Sequence, residues 1–120
     1  MFDERLAVCR LPPGDPLPSW MAGPFISITR TINELSVVCA EVSVPVHVTS
    51  ERGWRGFRVE GPLPFTEIGI LAELSVNLAA ADISIFAVST HDTDYILVKD
   101  EDLAKAVVTL EAEGHDIGTM

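Results

Sequence analysis

At 120 residues, 48% hydrophobic and 22% charged, the chain is long enough for one core and too apolar for disorder. Its formal net charge of −10 argues against nucleic acid and anionic membranes, which need cationic surface, and no apolar run nears the ~18 residues of a membrane span. The charge is uneven: residues 1–60 hold six Arg against seven Asp/Glu, residues 61–120 two Lys against eleven, which points to solubility or to attraction of a cationic ligand.

Residues Arg5–Leu11 alternate as a strand does. The following PPGDPLPSWMAGP carries five of the eight prolines and forbids a long helix or strand, with Trp20 expected to plug the loop onto the core. Phe25–Thr31 and Leu35–Glu41 are strand-like, joined by a tight hairpin at Ile32-Asn33-Glu34. Glu41–Pro45 is too short for a helix, Val46–Ser50 is a short strand, Glu51-Arg52-Gly53 a turn, and Trp54–Glu60 alternates again.

The period changes at Thr66–Ala81, where Ile70, Leu71, Leu74, Leu78 and Ala81 form one helical stripe. Thr66 is the expected N-cap, and Asp82 tolerates the left-handed conformation that ends the helix. Ile83–Thr90 and Tyr95–Lys99 are strands around a His91–Asp94 turn. Leu103, Ala106, Val107 and Leu110 mark a second helix, with acid at its start and Gly114 at its end. HDIGTM leaves room for one short strand or a frayed tail.

The second half therefore reads β-α-β-β-α, an α+β, ferredoxin-like βαββαβ unit with its last strand short or missing. The first half repeats the strands with both helices shrunk to turns. The expectation is an internal repeat, a degenerate module over residues 1–52 and a full one over 53–120.

Cys9 and Cys39 sit in apolar runs as buried free thiols, and His47, His91 and His115 are too scattered for a metal site. Reduced cysteines and the absence of an export signal at MFDERLAVCR point to the cytoplasm. No serine nucleophile elbow and no phosphate loop with lysine occurs, so neither catalysis nor a cofactor is expected.

VEGPLPFTEIGILAEL, ISIFAVST and DTDYILV, in that order and spacing, resemble the ACT domain of a small aspartate-kinase-like family and the ACT modules of the eukaryotic cytosolic arginine sensors. ELSVVCAEVSVP resembles the strand preceding the second module there. Two departures stand out: Asp82 where many ACT domains have Gly, and His91 where relatives often place an aromatic. The resemblance implies two ACT-like modules that bind an amino acid at a module interface and regulate an enzyme, paired as a homodimer. The alternative is an interaction module that has lost its ligand and works by sheet pairing.

An amino-acid site needs N–H groups for the carboxylate and acid for the ammonium. Phe65–Ile70 opens the long helix, so Glu67, Gly69 and Ile70 offer a helix start, and Gly69 lets a ligand approach the backbone. Thr90, Asp92 and Asp94 crowd the strand–strand turn. Aspartates there commonly serve the turn itself, but the resemblance implies an acidic ligand contact at Asp94. It also implies that Ser36 and Val37 cover the ligand through edge-strand backbone. His91 reads as an idle turn residue. Arg52, Arg55 and Arg58 balance local acid or hold an acidic ligand group.

Overall fold

The computed structural model describes residues 3–59, 70–114 and 117–118. The chain divides into two compact units, Asp3–Trp54 and a second built on the chain from Arg55 onward.

The first unit is strands with no α-helix. β1 (Leu6–Leu11), β2 (Ser27–Arg30), β3 (Leu35–Ala40) and the start of β4 (Ser50–Val59) follow the order β4-β1-β3-β2. Neighbours run antiparallel, with Cys9 opposite Val37 and Ile28 opposite Val37. The hairpin at 32–34 forms as the sequence reads. The Thr31 N–H donates to the Glu34 carbonyl at 2.9 Å, and the Thr31 hydroxyl accepts from Asn33 and Glu34. One face of β1 and β3 buries Ala7, Cys9, Leu35, Val37 and Cys39, with Val44. Trp20, Met21 and Val48 pack onto that cluster, so the proline-rich loop is anchored by its tryptophan as expected.

One expectation fails here. Residues 46–48 form no strand, and Glu51–Gly53 is no turn: a single strand, β4, runs from Ser50 to Val59. Leu6 pairs with Trp54 and Val8 with Glu51, which sets two residues of β1 against three of β4. That is a β-bulge, and Gly53 at φ +78° supplies the backbone conformation it needs. The turn-forming composition of ERG thus serves an irregularity inside a strand. Glu41 fixes it by accepting the Gly53 N–H at 2.6 Å, and the Arg52 guanidinium donates to the carbonyls of Glu41, Val44 and Pro45.

The second unit contains the rest of β4, α1 (Ile70–Ala80), β5 (Ile85–Ser89), β6 (Asp94–Lys99), α2 (Leu103–Ala112) and β7 (Ile117–Gly118). Strand order is β7-β4-β6-β5, the order of a ferredoxin-like unit. The last strand is present but only two residues long, with Ile117 opposite Val59. Leu74 and Leu78 of α1 are fully buried with Phe57, Ile96, Val98, Ala106 and Leu110, and Ile85 packs against them. Phe86 is only partly buried. Asp82 adopts φ +63° after α1, the left-handed end expected of it. Gly114 does the same after α2, at φ +84°. Asp100–Asp102 stand at the start of α2 as expected, in a 3-10 turn that leads into the helix, and Asp102 makes no side-chain cap. The expected cap at Thr66 falls outside the described residues.

Candidate ligand-binding site

The β5–β6 turn is the part of the expected site that the described residues display in full. Thr90 closes it: its N–H donates to the Thr93 carbonyl at 2.8 Å, its hydroxyl donates to the same carbonyl at 3.1 Å, and the Thr93 N–H donates to that hydroxyl at 3.3 Å. The Thr90 side chain is therefore committed to the turn. Asp92 is 91% exposed and lies 3.0 Å from His91 Nδ1, a solvated pair of adjacent side chains. Pairs this exposed contribute little to stability.

Asp94 differs. It begins β6 opposite Ser89 and is half-buried, and its carboxylate has no hydrogen-bond or ion-pair partner among the described residues. A ligand ammonium or guanidinium would pair with it by a charge-assisted hydrogen bond.

Glu67 and Gly69 lie outside the described residues. Ile70 is the first described residue of α1, and nothing is stated of its side chain.

Ser36 and Val37 require a correction. β3 is interior to the first unit, between β2 and β1, so these residues are not on an edge strand. Ser36 stands opposite both Arg10 and Thr29, and Val37 opposite both Cys9 and Ile28, so ladders flank them on each side. The Val37 side chain is fully buried in the unit's core, while Ser36 on the opposite face is half-buried. ELSVVCA is apolar on both faces, and that continuity was the sign of a central strand.

The three arginines do not act as one anion site. Arg52 clamps backbone carbonyls, and Arg55 pairs with Asp100 at 3.0 Å in a largely buried contact. Both cysteines are buried free thiols. Burial and the neighbouring Cys39 push the Cys9 thiol up to about 11, against a weaker opposing pull from Arg52. Such a thiol is a poor nucleophile. Among the described residues, no group of three His, Cys, Asp or Glu could hold a metal ion, and no helix is long and apolar enough to cross a membrane.

Comparisons with known proteins bear on what this arrangement serves. A model of the ACT domain matches residues 49–112, and a second model, of an N-terminal domain, matches residues 4–47. The cytosolic arginine sensor for mTORC1 subunit 1 of Bos taurus is 37% identical over 75 residues, 60% of this chain and 23% of that protein. Its Homo sapiens counterpart is 40% identical over 67 residues, 53% of this chain and 20% of that protein. The chain thus spans about a fifth of the curated relatives it matches. A crystal structure from Agrobacterium tumefaciens is 38% identical with a TM-score of 0.86, covering 92% of this chain and 84% of that one. Aspartate kinase of Clostridium acetobutylicum shares the fold at a TM-score of 0.61 and 12% identity, covering 88% of this chain and 31% of that one.

Proposed function

The chain belongs to the ACT-domain family, and from that premise we propose that it is a regulatory protein that binds a free amino acid. The observation that carries this reading is Asp94, a half-buried carboxylate without a partner among the described residues, at the start of β6. Similarity to proteins named as arginine sensors supports an amino acid as the ligand class. Topology supports the placement. In a βαβ crossover the helix begins where the first strand ends and the second strand finishes at that same end. The start of α1 and the β5–β6 turn therefore belong to one end of the second unit. On this reading Glu67, Gly69 and Ile70 receive the ligand carboxylate, Asp94 receives the positive group, and Thr90 and Asp92 shape the turn between.

We read the two units as tandem ACT-like modules, residues 1–52 and 53–120, the first without its helices. Counted within itself, each unit has the strand order 4-1-3-2, which supports this reading. The division at Trp54/Arg55 lies close to the proposed boundary. The ligand's second wall comes from another ACT module, of this chain or of a second copy in a homodimer. The partner this implies is a regulated enzyme in the cytoplasm.

A thermal-shift panel of the twenty amino acids tests the reading. A ligand at 100 times its dissociation constant adds about 2.7 kcal/mol to the folded state. One or a few amino acids should raise the melting temperature, and Asp94→Asn should weaken the active ones by about 1.5–3 kcal/mol in calorimetry. A flat panel would favour the sheet-pairing alternative instead, for which β2 and β5, each with a strand neighbour on one side only among the described residues, are available edges.

A further inference from the structure

The first unit has a feature the amino-acid reading leaves unused. The proline-rich loop, the end of β1 and residues 47–49 line an open cleft of about 410 Å³, within the size range of small-molecule sites. Its walls are held in place independently of any ligand. Trp20 and Val48 pack onto the core, the Arg10 N–H donates to the Thr49 carbonyl at 2.9 Å, and the Asp15 N–H closes a turn on the Pro12 carbonyl.

The chemistry of that wall is one-sided. Pro12, Pro16 and Pro18 contribute no N–H donors, and the Pro12 carbonyl already accepts the Asp15 N–H. Arg10 is already neutralised, donating to Glu34 at 2.9 Å and to the Asn33 carbonyl at 3.2 Å. The Asp15 carboxylate has no partner among the described residues: the bonds of residue 15, including the one from Arg30, use its backbone. Trp20 is the aromatic ring of the wall, and indole faces attract cations. The same loop already receives one cation. Arg30 of β2 donates its guanidinium to the carbonyls of Pro13 and Asp15.

We propose that this cavity is a second ligand site, separate from the ACT site, and that it takes a small organic cation, an amine or guanidine. The ammonium or guanidinium sits between the Asp15 carboxylate and the Trp20 ring, with the prolines as rigid apolar walls. His47, also in the lining and without a partner among the described residues, offers an imidazole nitrogen to a further polar group of the ligand.

The test is calorimetry on the full chain with agmatine, putrescine and choline, against succinate as the anionic probe. At least one cation should bind. Asp15→Asn should weaken it about fivefold or more, the scale of a lost charged contact. Trp20→Phe, which keeps a ring face, should weaken it less than Trp20→Leu. Asp15→Asn leaves the backbone bonds of residue 15 intact, so its melting temperature should match the parent. Asp94→Asn should not alter cation binding, which separates failure of this site from failure of the ACT reading. Absence of binding by all three cations, tighter binding of succinate, or an Asp15→Asn variant with undiminished affinity would each overturn the proposal.

Discussion

Leu74 is where the packing of the second unit can be tested most directly. It is fully buried in a cluster with Phe57, Leu78, Ile96, Val98, Ala106 and Leu110. Leu74→Ala removes three carbons, and their transfer to water alone accounts for about 2 kcal/mol. The remainder depends on how far the site collapses. Leu74 is on α1, which packs on α2, and strand residues Phe57, Ile96 and Val98 share its cluster, so rigid elements surround the void. The expected total is about 3–4 kcal/mol, inside the range for buried Leu→Ala changes. Val76, two residues along and 66% exposed, is the internal control, and Val76→Ala should stay within about 0.5 kcal/mol of the parent. Urea unfolding followed by far-ultraviolet circular dichroism reads both, with equal slopes required for the comparison. A loss below about 1 kcal/mol at Leu74, or equal losses at both positions, would mean that the helix presents a different face to the sheet.

Four further outcomes are expected. Cys9 should resist a thiol reagent in the native protein at pH 8 and react only on unfolding. With its folded pKa raised to about 11 from 9.0, stability is fully present below pH 9 and falls from pH 9 to 11, a slope that Cys9→Ala should reduce in pH-dependent urea melts. Gly23→Ala should cost about 1–3 kcal/mol in the same melts, because φ is +109° and the new Cβ would lie 2.7 Å from that of Ala40. Asp82→Gly should be neutral or stabilising by up to about 1 kcal/mol, since Asp82 holds φ +63°, whereas Asp82→Val should destabilise clearly. Light scattering should give a homodimer if the proposed pairing of ACT modules holds, and a monomer at high concentration would refute that pairing.

The helical unit was legible because its signals are local. Leu74 and Leu78 recur with the helix period, Asp82 follows where the stripe ends, and Gly114 stops the second helix. Each mark depends on a few neighbouring residues. The first unit resisted for the opposite reason. Glu51-Arg52-Gly53 has turn composition, yet pairing with β1 makes it a bulge, and that pairing is fixed by residues some 45 positions away. Likewise, the apolar run of β3 marks a central strand without naming the strands that flank it. Only the placement of β2 and β1 makes β3 interior and turns Val37 into core. The site divides the same way: Thr90 and Asp92 are explained by the turn they sit in, while Asp94 stands out only once its surroundings show no partner.

The loss of helices in the first unit is compensated by a different kind of bond. A helix satisfies its own backbone, whereas a proline-rich loop leaves carbonyls without internal donors. Two arginines supply them: Arg30 bonds the carbonyls of Pro13 and Asp15, and Arg52 those of Glu41, Val44 and Pro45. Arg30 and Arg52 thus tie two loop segments together through backbone carbonyls.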